Sequence, residues 1–129
     1  MKGYIDNIEK VTKENNAYRK VLYTGRYSQL VVMSLKPGEE IGNEVHGLDQ
    51  FIRIEQGTAK VIFNNKDEHE VSDDWAIVIP ATTWHNVINI GDNDLKLYSI
   101  YSPPEHKEGT VHENKEDEQE EHFDGETTE

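Results

Sequence analysis

The chain has 129 residues, which fits one domain with a single core. It is acidic, with 26 Asp and Glu against 13 Lys and Arg and a net charge of −13. The lack of any Lys/Arg cluster excludes nucleic acid and anionic membrane surfaces as partners, and the lack of cysteine excludes disulfides and thiolate metal sites.

The N-terminus, MKGYIDNIEK, has no apolar stretch of the kind a signal peptide needs. Together with the missing cysteines this predicts a cytoplasmic protein. Ile5, Ile8 and Val11 recur at helical spacing, so Ile5–Asn15 reads as a short helix or an irregular arm. Strand signals then dominate. Tyr18–Thr24 is rich in β-formers, and Leu30–Leu35 is an apolar run stopped by Pro37-Gly38. Gln50–Glu55 follows, then Gly57 and Thr58–Phe63. Asn64-Asn65 predicts a tight hairpin, because Asn tolerates positive φ, with a polar strand returning over Lys66–Val71. Trp75–Ile79 stops at Pro80. Trp84–Ile90, the turn cluster Gly91–Asp94 and Leu95–Tyr101 complete the set before Pro103-Pro104. About eight short strands with regular turns predict an all-β sandwich or barrel. Trp75, Trp84 and the tyrosines are expected in the core or at an interface.

The body over 1–104 is a mildly acidic globule. The segment 105–129 carries 11 Asp and Glu against 2 Lys and Arg and has few large apolar residues, chiefly Val111 and Phe123. Such a composition predicts a disordered, solvated tail, with His69, His106, His112 and His122 in water. The alternative is that His106–His112 and Phe123 fold back on the barrel or on a neighbouring subunit.

The residues with chemistry lie between Gly38 and Asn89. Glu44 and His46 are separated by one residue, which places them on one face of an extended chain. Gly47-Leu48-Asp49 can turn, and Gln50 opens the next strand. His85 follows a Pro-containing turn. One carboxylate, two imidazoles and an amide oxygen form a mixed N/O set suited to one divalent ion: Fe, Mn, Co, Ni or Zn. Gln50 stands either as a direct ligand or as a hydrogen-bond partner to a water on the metal. A lone His85 would more often be a buried, hydrogen-bonded histidine. Arg53 alternates with Gln50 and is expected to face away from the site.

The spacing resembles the two motifs of the cupin superfamily. Gly38, five residues, Glu44-x-His46, three residues, Gln50, six residues and Gly57 match the frame of the first. Asp74, five residues, Pro80-x-Thr82, two residues, His85, three residues and Asn89 match the second. The chain departs from the family pattern where Glu44 replaces the usual first His, Gln50 the usual Glu, and Asp74 and Thr82 two glycines. One anionic ligand is kept in a rearranged set. The chain also resembles the small bacterial cupins described as mannose-6-phosphate isomerase-like, although the isomerases themselves are larger and carry further motifs. The resemblance implies a double-stranded β-helix or jelly-roll barrel and a homodimer. It also implies isomerase or dioxygenase chemistry on a small sugar derivative or an enolisable acid. The alternative reading is a non-catalytic module in which the metal anchors a small-molecule ligand.

Overall fold

The computed structural model describes residues 1–129. One short helix, α1 (Ile8–Glu14), precedes nine strands: β1 (Arg19–Thr24), β2 (Gln29–Leu35), β3 (Asp49–Gln56), β4 (Ala59–Phe63), β5 (Asp67–Val71), β6 (Ala76–Ile79), β7 (His85–Asn89), β8 (Leu95–Ser102) and β9 (Val111–His112). Asn7 caps α1 by accepting from the Lys10 amide at 3.1 Å, the favoured chemistry at a helix start.

Two antiparallel sheets face each other in a jelly roll. The larger has the order β6-β3-β8-β2-β1-β9 and the smaller β5-β4-β7. Period-2 alternation decides which side chains enter the space between them. Gln50, Ile52 and Ile54 of β3 point inward, as do Leu95, Leu97, Ser99 and Tyr101 of β8 and Val31, Met33 and Leu35 of β2. His85, Val87 and Asn89 of β7 enter from the other side. Burial at about 25 cal/mol per Å² of apolar surface makes this layer the main source of stability.

The turns follow their residues. Asn64 and Asn65 have φ of 54° and 63°, as the expected β4–β5 hairpin requires. Gly57 has a φ of 110°, and a Cβ there would lie 3.2 Å from Leu95 Cα and 3.3 Å from the Asp94 carbonyl. Only glycine lets the β3–β4 turn come this close to β8. No helix is long and apolar enough to cross a membrane.

Two expectations are narrowed. Trp75 and Trp84 are exposed, so of the two places expected for them, core or interface, the core falls away, because each stands at a turn beside an edge strand. The tail is packed, not solvated. Its strand β9 pairs with β1 through Arg19↔His112 and Lys20↔Val111. His112 is buried and His106 half-buried, while His69 and His122 stay exposed. Composition misses this because hydrogen bonds, not apolar area, attach the tail. The Tyr18 amide donates to the Glu113 carbonyl, Val21 to Thr110, and Thr128 to Thr24.

Candidate metal centre

The site forms where the β2–β3 connection crosses the end of β7. Glu44 and His85 exchange two backbone hydrogen bonds of 2.9 Å each. This fixes the register that sets their side chains together. The His46 carbonyl accepts from the Thr82 amide at 2.7 Å, which ties the loop carrying His46 to the turn before His85. Gln50 enters from β3, on the inner face beside Tyr101.

Glu44, His46 and His85 offer ligand atoms that all lie within 4.8 Å of one another. Glu44 Oε1 is 3.2 Å from His46 Nε2 and 3.5 Å from His85 Nε2. Bonds of about 2.0–2.2 Å to one ion bring neighbouring ligand atoms to about 3.0–3.5 Å of each other, so these separations suit a shared cation. The imidazole rings are 5.5 Å apart and tilted by 54°.

Hydrogen-bond accounting supports the same fit. His46 Nε2, His85 Nε2 and Gln50 Oε1 are all buried with no hydrogen-bond partner. Buried polar atoms are almost always paired, so the two imidazole nitrogens beside one carboxylate ask for a shared partner that protein does not supply, and Gln50 Oε1 is a further free acceptor on the inner face. Their other ends are held. His85 Nδ1 lies 2.9 Å from the Thr83 carbonyl. A carbonyl only accepts, so Nδ1 carries the proton and Nε2 keeps its lone pair. Gln50 Nε2 donates to Ser99 Oγ at 3.3 Å, leaving its oxygen free. Of the expected set, the structure brings Glu44, His46 and His85 into one cluster and sets Gln50 inward with a free acceptor. Arg53 turns away toward Asp74 and Glu55.

The electrostatics fit a carboxylate that stays charged. Burial pushes the Glu44 carboxyl up, but in the metal-free protein the close approach of the His46 and His85 imidazoles outweighs it and holds the group down at about 2. Burial likewise works to lower the His46 imidazole. Glu44 and Glu105 overcome it, and His46 is raised above its ordinary 6.5.

The tail and β1 supply groups that sequence reasoning missed, Glu105, Glu118 and Arg19, while His106 arrives as the fold-back alternative expected. A cavity of about 400 Å³ opens from Glu44 and His46 and is walled by Arg19, Glu105, His106 and Glu118. Arg19 points inward from β1 opposite Met33 and is only 3% exposed. Its guanidinium meets Glu118 at 2.5 Å. Strand alternation from Val21 places Arg19 inside, a signal present in the sequence. Glu105 and Glu118 give no such signal, being hidden in a run of acidic residues.

A profile of the cupin domain matches residues 31–101. The chain is similar to the uncharacterized protein YrkC of Bacillus subtilis, at 52% identity over 122 residues, covering 90% of this chain and 66% of that protein. It is also similar to the uncharacterized protein L612 of Acanthamoeba polyphaga mimivirus, at 48% identity over 112 residues, covering 84% of this chain and 70% of the relative. The chain thus spans about two-thirds of the length of these relatives. The crystal structure of BH2720 from Bacillus halodurans superposes with a TM-score of 0.88 at 50% identity, over 90% of this chain and 92% of that one. KdgF from Halomonas sp. shares the fold, with a TM-score of 0.62 at 22% identity over 66% and 76% of the two chains.

Proposed function

The chain belongs to the cupin family, and from that premise we propose that it is a metal-dependent cupin holding one divalent ion through Glu44, His46, His85 and Gln50. The observation that carries this reading is the pair of buried, unpartnered imidazole nitrogens, His46 Nε2 and His85 Nε2, gathered around the Glu44 carboxylate. The mixed N/O donors suit Fe, Mn, Co, Ni or Zn. A bound ion of this kind supplies a Lewis acid that polarises an oxygen of a small molecule.

The chain's own residues do the rest. Glu44 contributes the one negative charge and stays ionised across the neutral range, since its carboxyl is held at about 2. Thr83 fixes the His85 tautomer, and Ser99 fixes the Gln50 amide. The cavity leading to the cluster has room for a small molecule of a few heavy atoms. This space favours a ligand-binding role over an ion that merely braces the barrel. An isomerase or dioxygenase acting on a small sugar derivative or an enolisable acid is the activity we assign. A homodimer belongs to the same reading. Val78, Phe51 and Ile100 stand in one row on the outer face of the larger sheet, and Val78 is 66% exposed.

Elemental analysis of protein purified without added metal tests the assignment. We expect about one equivalent of a first-row metal or zinc, lost in Glu44→Ala and in His46→Ala. A protein that arrives empty and takes up none of the five ions on dialysis overturns it.

A further inference from the structure

The two histidines of the cluster are held in different ways. His85 Nδ1 faces a backbone carbonyl of its own turn. His46 Nδ1 faces the tail, with Glu105 Oε2 at 3.5 Å. The Thr83 carbonyl only accepts, so the His85 ring carries its proton on Nδ1; a proton held on His46 Nδ1, on the Glu105 side, would likewise leave that ring's Nε2 free for an ion beside Glu44. A carboxylate behind a ligand imidazole fixes its tautomer and orientation and raises its basicity.

Glu105 is itself built in. Its backbone amide and that of His106 both donate to Gln29 Oε1, at 3.2 and 2.9 Å, and Gln29 Nε2 donates back to the His106 carbonyl at 2.7 Å. Gln29 is fully buried on β2, and its amide also donates to Thr24 Oγ1 at 2.9 Å. The Glu105 carbonyl accepts from the Phe123 amide, and its second carboxylate oxygen meets His122 Nδ1 at 2.9 Å. The His106 ring packs edge-on against Tyr101, with centroids 5.0 Å apart, and Tyr101 in turn packs edge-on against His46 at 6.1 Å. These contacts together deliver one carboxylate to the back of one imidazole. A solvated tail needs none of them.

We infer that Glu105 is a positioning residue for the metal centre, orienting His46 so that its Nε2 joins Glu44 and His85, and that the acidic tail is therefore a working part of the site. The inference rests on the metal reading above. It differs from that reading in assigning a role to residues beyond the matched cupin segment, which ends at residue 101.

The test is cobalt(II) binding by the full chain, read from the visible d–d absorption and from competition with a chelator. The variants are Glu105→Ala, Glu105→Gln, His46→Ala and, as a charge control, Glu126→Gln on the exposed tail end. Loss of a group that orients a ligand histidine weakens metal binding by about 10–100-fold, so Glu105→Ala is expected to do so and to shift the cobalt spectrum. Glu105→Gln keeps an acceptor for Nδ1–H and should recover part of the affinity. Glu126→Gln should match the wild type. If Glu105→Ala binds cobalt as tightly as the wild type with an unchanged spectrum, the inference is overturned and the metal reading stands. It is overturned equally if Glu105→Ala lowers only the melting temperature, or if Glu126→Gln weakens binding to the same extent. If the wild type and His46→Ala alike bind no cobalt, the metal reading itself falls and takes this one with it.

Discussion

Asp74 and Thr82 have φ of 73° and 67°, in the left-handed region that costs an L-residue about 1–2 kcal/mol. The cupin pattern has glycine at both positions, so this chain keeps the backbone bend and loses the residue that makes it easy. Thr82 is the more costly of the two, being β-branched. Its amide holds the His46 carbonyl, which explains why the conformation persists: the loop it serves carries a cluster residue. Thr82→Gly should therefore stabilise the fold. Relief of the strain exceeds the roughly 0.5–1 kcal/mol of extra chain entropy that glycine brings, leaving a net gain of about 0.5–1 kcal/mol. The urea midpoint should rise without a change in slope. A fall would mean that the hydrogen bond from Thr82 Oγ1 to the Ala81 carbonyl outweighs the strain.

At the scale of elements, all eight barrel strands are legible in the sequence. Seven carry apolar or β-forming runs, the polar β5 follows from the Asn64-Asn65 turn before it, and other strand ends carry Pro-Gly or Gly-Asp signals. Strand β3 is a clear case: Gln50, Ile52 and Ile54 alternate with outward Phe51 and Arg53. The short helix is legible too, although it starts at Ile8 and not at Ile5. Strand β9 is not. Two residues in an acidic run carry no period, and what holds them lies elsewhere, in Arg19, Gln29 and Thr24 of the barrel. The site divides the same way. Glu44, His46 and His85 are readable because one motif spacing fixes each, whereas the Glu105–His46 pairing depends on where a distant segment docks. Deleting 105–129 removes the bonds to Tyr18, Val21, Thr24 and Gln29, each worth about 0.5–1.5 kcal/mol net. It also strips Glu118 from Arg19 and uncovers Tyr101. We expect a loss of about 2 kcal/mol or more, with the freed chain entropy offsetting part of the lost bonding. Chemical denaturation of the shortened chain measures it, and an unchanged midpoint would show the tail undocked in solution.

Across the whole molecule, three site-related groups give the metal-free protein a pH profile that its surface charge would not. Burial and the nearby Arg19 charge push the His106 imidazole down to about 3, from an ordinary 6.5. Between those values the unfolded chain binds a proton that the folded one refuses, so stability falls as pH drops through this window. Glu44, at about 2 against an ordinary 4.5, adds a second acid limb below about 4.5 by the same sign. His46 is raised, so its contribution is complete below 6.5 and is lost as pH rises through its folded value. The opposing effect, relief of carboxylate repulsion in acid, is spread over exposed groups that salt screens. The buried groups should dominate, giving a stability maximum near pH 6.5 after chelator treatment. His106→Asn isolates the largest of the three shifts. Its urea midpoint should be flatter than that of the wild type between pH 6.5 and 4.5, whatever its absolute value, while the limb below 4.5 remains. Parallel curves for the two proteins would mean that His106 takes up its proton freely, and hence that the tail lifts off the barrel mouth before acid reaches the core.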